Sequence, residues 1–480
     1  MKFYLVISTF LLSLCFGGCK KLLEEKPKSL VNPDGYFTNA ANFESAVLGV
    51  YSSFPAMFGG NQLMMSEMFS DITGNPSSAF EQALPTYQNN MSEAFYNVRQ
   101  TWATCYTIIK DANFVLAYLP GSSLLTDTKK AQLTAECRFL RAYAYFRLVQ
   151  FFGDVPLRKE PPSSYDETQV PRTPQAEVYN FILEDLQYAE ANLPDNAPQQ
   201  GRVYKLVATA LLAKVYLTMA GYPLNKTEHY QNALAKSSQV INANKFVLVE
   251  DYASVFRKSA YTSESIWEQT FAPGTGNAMH GLSLTQRGFV PILLPADWFI
   301  NSFSAGDRRA EFGIIKNFVD RANNVTLPAF FAKFVDTAYI SQGRTPGNSG
   351  TAFTIPFLRL SEMYLIAGEA ENEINGPANA YTFINKIRWR ARTDKNNPAL
   401  VPDFAGLSKA QLRDSILLER KKELFLEGSS WFDLKRTNTL NRIQTIRGSG
   451  LSVPIGKYND TWYIPDTELS INKVPQNPKP

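Results

Sequence analysis

Residues 135–157, AECRFLRAYAYFRLVQFFGDVPL, constrain this chain more than any other stretch. Phe139, Ala142, Tyr143, Phe146 and Val149 recur at helical spacing and make one apolar face. Cys137, Leu140, Ala144, Leu148 and Phe151 make a second. The polar residues fall into two narrow wedges, Arg138 with Arg141, and Glu136 with Arg147 and Gln150. A helix apolar on two sides must be covered on two sides, so this one is expected inside a helical stack. Ala142 and Ala144 permit close approach of neighbours, Gly153 supplies the C-cap, and Pro156 stops the helix.

The same grammar returns at 201–224, a run of small and apolar residues ending in Gly221-Tyr222-Pro223. Gly153 and Gly221 are 68 residues apart. That is twice the period of about 34 residues of a tetratricopeptide repeat. The reading is a mainly α fold, a degenerate tetratricopeptide-like array of helix pairs. Further helices are expected at 42–54, 93–119, 176–193, 228–243, 358–374, 378–392 and 409–428. A short helix is expected at 296–303. Stretches at 245–261 and 265–271 read as strands, and alternation over 317–339 with Phe330-Phe331 reads as a β excursion. The end, 440–480, reads as irregular.

The N-terminus has a short positive start and an uncharged apolar run over 3–16. The run is too short to span a bilayer and reads as a signal peptide. Phe16-Gly17-Gly18-Cys19 then looks like a bacterial lipobox, with Phe16 where leucine is usual. Cleavage before Cys19 would leave its thiol to carry a diacylglycerol anchor. The expected organisation is a signal peptide at 1–18 and a lipidated tether at 19–41. A helical part with a ligand loop follows at 42–244. The C-terminal part, 245–480, holds the β excursion, the returning helices and the tail. Cys105 and Cys137 are the cysteines that remain, with a disulfide open to them outside the cytoplasm and buried free thiols the expectation.

The formal charge is +4 with no Lys/Arg run, which gives no footprint for nucleic acid. Two histidines far apart, His229 and His280, make a histidine-dependent triad or multi-histidine zinc site hard to build. No HExxH, GxSxG, P-loop or CxxC occurs, so no cofactor or metal is expected. Glu362, Glu369 and Glu373 share near-helical spacing, and two carboxylates suffice for a glycosidase. Their setting beside Arg359 reads instead as ion pairing on a helix.

Six segments taken in order resemble the SusD/RagB family: RFLRAYAYFRLVQFFGDVPL, ATALLAKVYL, LRLSEMYLIAGEAEN, INKIRWRAR, ERKKELFLEGSSWFDLKR and WYIPDTELSINKVPQNP. The resemblance runs over nearly the whole mature chain. It implies an outer-membrane lipoprotein that captures nutrients and works with a SusC-like TonB-dependent transporter. It also implies that Glu419, Arg420, Glu423, Glu427 and Asp433 form interhelical ion pairs around Trp431, with Ser430 standing where the family usually has arginine. Trp102 matches a core position of a family helix. The family's C-terminal tail returns over the helices.

What the residues support is binding, not catalysis. Sugars are held by stacking on exposed aromatic rings and by polar side chains at the rim, and exposed rings sit in loops. Two aperiodic segments qualify, 71–93 and 271–295. In the first, Met68-Phe69-Ser70-Asp71 resembles the family's step before its ligand loop, which places Asp71 at the site's edge. Asn75, Phe80, Gln82 and Tyr87 follow it. In the second the candidates are Phe271, Asn277, His280, Arg287 and Phe289. The ligand is expected to be an oligosaccharide or polysaccharide. A peptide-binding member of the same family, or a secreted glycoside hydrolase, are the alternatives.

Overall fold

A computed structural model describes residues 33–58, 66–67, 69–74, 96–164, 166–271, 294–320, 325–335, 353–447 and 460–478. Helices dominate it. After α1 (Ala40–Ser52) come α2 (Tyr96–Tyr118), α3 (Asp127–Phe152), α4 (Gln175–Asn192), α5 (Lys205–Ala220) and α6 (His229–Asn242). Each of α2 to α6 packs on the next. The succession then jumps, because α6 packs on α9 (Leu360–Asn375) and α9 on α10 (Pro377–Ala391) and α11 (Lys409–Leu424). The shorter helices are α7 (Asp297–Ser302), α8 (Arg308–Gly313), α12 (Ser430–Arg436), α13 (Asn441–Arg447) and α14 (Asp466–Asn472).

Local chemistry sets the helix starts. Asn39 accepts from the Asn42 amide, Thr126 from the Lys129 amide, and Ser408 with Gln411 forms a reciprocal capping box. Helix α3 is buried almost continuously from Leu133 to Phe152. Its polar wedges are met by partners at this depth. Glu136 pairs with Arg202 at 2.7 Å, Arg141 with Asp185 at 2.8 Å, and Arg147 lies 4.6 Å from the Phe432 ring. Gly153 takes a positive φ of 69° at the C-cap, and its amide donates to the Val149 carbonyl. Cys105 and Cys137 are buried free thiols, and burial pushes the Cys105 thiol up to about 12. Trp102 is core, as expected.

The described strands form four two-stranded antiparallel pairs. They are β1 (Val155–Pro156) with β2 (Arg172–Thr173), β3 (Ser265–Gln269) with β8 (Ile355–Arg359), β4 (Ile314–Ile315) with β7 (Phe330–Phe331), and β5 (Val319–Asp320) with β6 (Val325–Thr326). The excursion at 317–339 is therefore real but built of two-residue strands. The strand expected at 245–261 is absent. That segment carries a 3-10 turn, Tyr252–Val255, whose start is capped by Asp251, and Tyr252, Val255 and Phe256 reach the core without a ladder while Val247 stays exposed.

The tail is less irregular than its composition suggests, since it carries α13 and α14. It also returns over the array. The Trp462 amide donates to the Phe151 carbonyl at 2.7 Å, and the Trp462 and Phe151 ring centroids are 4.0 Å apart. Asn477 Nδ2 donates to the Phe152 carbonyl. A backbone amide and a side-chain amide from the far end of the chain thus satisfy the C-terminal carbonyls of Phe151 and Phe152 in α3.

The ion pairs of the 419–433 stretch are interior. Asp307, Glu264, Glu419, Glu423 and Glu427 meet Arg309, Arg359, Arg388, Arg390 and Lys333, five acids against five bases. Burial alone would raise the Glu423 carboxyl. Arg390, Arg359 and Arg309 outweigh it and hold that carboxyl well below the usual range. A second group joins Arg420 and Arg436 through Asp433 at 2.9 and 2.7 Å, and Arg436 to Glu369. Glu362 pairs with Lys214 and Glu373 with Arg413, so the three carboxylates weighed in the sequence, Glu362, Glu369 and Glu373, are taken by cations, while Glu371 of the same helix accepts from Asn375 and Asn379.

Candidate functional site

The start of the first aperiodic segment meets the end of the second. Thr73 and Pro295 form an isolated antiparallel bridge. The Gly74 amide donates to the Leu294 carbonyl and the Ala296 amide to the Ile72 carbonyl, both at 2.8 Å. A β-carbon on Gly74 would meet the Pro295 carbonyl at 3.6 Å, an ordinary contact, so glycine is not demanded there by space. Residues 71–93 and 271–295, read separately from the sequence, are thus joined at their roots. Asn75, Phe80, Tyr87, Asn277, His280, Arg287 and Phe289 lie outside the described residues, as does Gln82. Phe271 is half-buried against the core.

Asp71, expected at the edge of the site, is fully buried. Its Oδ2 receives Lys421 Nζ at 2.5 Å and Arg442 Nε at 3.0 Å, and its carbonyl accepts from Trp298 Nε1 at 2.7 Å. A carboxylate at zero exposure with two cations on one oxygen fixes the base of the first loop to α7, α11 and α13. Trp298, Lys421 and Arg442 were not singled out by sequence, since their partner lies more than 200 residues away.

Glu67 pins the same segment from its other side. Its carboxylate accepts from the Ser429 amide at 3.0 Å, the Ser430 amide at 3.3 Å and the Ser430 hydroxyl at 2.6 Å. Ser70 and Thr73 hydroxyls donate to the Glu67 carbonyl. Burial pushes the Glu67 carboxyl above its ordinary value, and the three donors pull it only part of the way back. Ser430 thus meets Glu67 through hydrogen bonds.

Between α7 and the α11–α13 region lies a cleft of about 420 Å³, lined by Trp298, Lys421, Thr439 and Arg442 among others. A larger groove of about 980 Å³ lies along α2, α3 and α4. Among the described residues, no group of three or more His, Cys, Asp or Glu side chains is placed to hold a metal ion. No described helix is long and apolar enough to cross a membrane.

Comparison with known proteins sets this geometry in context. A family profile described as "Starch-binding associating with outer membrane" matches residues 21–217, and one described as "SusD family" matches residues 320–473. The chain belongs to the SusD/RagB family. Among its relatives, SusD-like protein P25 of Formosa agariphila is 27% identical, the match covering 98% of this chain and 97% of that one. Starch-binding protein SusD of Bacteroides thetaiotaomicron is 28% identical over 76% of this chain and 75% of its own length. A SusD homolog from the same organism superposes with a TM-score of 0.80 at 24% identity, covering 94% and 99% of the two chains. A laminarin-binding SusD-like protein gives 0.76 at 24% identity, covering 92% and 100%. In SusD-family terms, the segment between the two profile matches carries α6, β3 and the second loop. The Ser430 departure sits inside the second match.

Proposed function

We propose that this chain is a cell-surface, glycan-binding lipoprotein that captures oligo- or polysaccharide and delivers it to a SusC-like TonB-dependent transporter in the outer membrane. One observation carries the reading: the two segments rich in candidate sugar-binding residues share a single hydrogen-bonded root, fixed to the core through Asp71. Asn75, Phe80 and Tyr87 from one loop would then face the same ligand as Asn277, His280, Arg287 and Phe289 from the other. Aromatic faces would cover the C–H faces of sugar rings, and the polar groups would bind hydroxyls at the rim. The family description and the starch- and laminarin-binding names of its relatives support a glycan as ligand. Cys19 would carry the lipid anchor.

The role proposed is capture without turnover. The α9 carboxylates that could have served hydrolysis are held in ion pairs. Incubation with a panel of oligosaccharides, followed by chromatography of the products and calorimetric titration, tests it. Binding with every glycan recovered intact is the expected result. Released smaller sugars would make the protein a hydrolase, and tighter binding of peptides than of glycans would make it a peptide carrier.

A further inference from the structure

We propose that the cleft beside the loop roots is a subsite for an anionic group on the glycan, a uronate carboxylate or a sulfate ester; this rests on the loops above binding glycan. The argument starts from charge. Asp71, fully buried, is approached by two cations on the same oxygen, Lys421 at 2.5 Å and Arg442 at 3.0 Å. One carboxylate and two cations leave one positive charge over. Asp433, also in the wall, is already held between Arg420 and Arg436; the exposed Asp414 is a further acid of the lining, and Arg413 beside it in sequence is paired with Glu373.

The surplus charge is on the side that solvent reaches. Lys421 is 7% exposed at its side chain and Arg442 is 50% exposed. Arg442 spends only Nε on Asp71; among the described residues its two terminal nitrogens make no hydrogen bond. Arg442 lines the 420 Å³ cleft together with Trp298, Ser302 and Thr439. The guanidinium carbon of Arg442 is 5.4 Å from the Trp298 ring centre, and Trp298 is itself fixed by its bond to the Asp71 carbonyl. A guanidinium oriented by one nitrogen, with two N–H edges free, matches the paired oxygens of a carboxylate or sulfate. Neutralising Asp71 requires one cation, and the buried lysine supplies it. The half-exposed arginine beside it is then available to a ligand. The cleft opens next to Trp298, one turn beyond the Pro295 end of the second loop, so a glycan held by the loops can place a charged substituent in it.

The test is a glycan array carrying neutral, uronate-containing and sulfated oligosaccharides, read first with the intact protein and then with Arg442→Gln and Arg442→Lys. Expected is a binding set drawn from the anionic classes, with the uronate and sulfate arms showing which anion is taken. Arg442→Gln should weaken that set about tenfold or more, flatten its dependence on salt, and leave the melting temperature close to the parent's because Lys421 still neutralises Asp71. Arg442→Lys should restore charge but only part of the affinity. A binding set that is purely neutral, or unchanged anionic binding in Arg442→Gln, overturns the subsite and leaves glycan capture by the loops standing. No glycan bound at all overturns both.

Discussion

At the scale of single residues, burial decides what a polar group does. Asp71 and Glu67 lie four residues apart and are both fully buried, yet one is met by cations and the other by hydrogen-bond donors alone. The difference has a pH signature. Glu67 has a folded-state pKa raised from 4.5, so its protonated form is the one the fold prefers. Stability from that preference is complete below the unfolded value and is lost as pH rises through the folded value. The advantage of the parent over Glu67→Gln, measured by melts from acid to neutral pH, should therefore shrink as pH rises. An advantage that grows with pH would mean the carboxylate is stabilised in its charged form. Glu423 has the opposite sign. The stability its ion pairs carry is present above the ordinary carboxyl range and is lost as pH falls toward its depressed value. Removing its charge in Glu423→Gln leaves the five interior bases facing four acids, at a cost of about 3–5 kcal/mol by denaturant unfolding.

At the scale of elements, the helices were legible because their periodicity is strong and their caps are local. Helix α3 is the clearest case, since two apolar faces in sequence became burial on all sides in space. Phe146 is 1% exposed there, and Phe146→Ala should cost about 3–5 kcal/mol, read from chemical denaturation. Contacts between distant elements were not legible. Gly221 was read only as a helix end, and nothing local shows that an added β-carbon there would lie 2.3 Å from the Arg436 carbonyl oxygen of α12. Gly221→Ala must push α5 and α12 apart and should cost about 1–3 kcal/mol in the same measurement. The 245–261 stretch was misread for a related reason. The apolar run Phe246-Val247-Leu248-Val249 packs only in part against the core, with Val247 exposed, and finds no strand partner. The root of the candidate site was half legible: both loops stood out by their lack of period, but only the fold could show Thr73 beside Pro295. The burial of Asp71 depends on partners at 421 and 442 and had no local signal.

At the scale of the whole molecule, the array of helices holds the start of the first loop beside the end of the second. An anchor at Cys19 would hold that array at the membrane, so Cys19→Ala should move the protein into the soluble fraction of a cell lysate. Retention in the membrane fraction would point to another anchor. Delivery to a transporter requires a broad interface, of the order of 2,000 Å² for a lasting complex, and gentle detergent extraction should recover the two together. The claim on which the rest depends is that both loops serve one ligand. Its most direct measurement is calorimetric titration of a bound glycan against Phe80→Ala and Tyr87→Ala from the first loop and Phe289→Ala from the second, with thermal melts alongside. Truncating a stacking ring in either loop should weaken binding by about 0.5–1.5 kcal/mol beyond the loss of buried area, with melting temperatures unchanged. Affinity lost from one loop only, or lost in step with the melting temperature, would contradict a shared site.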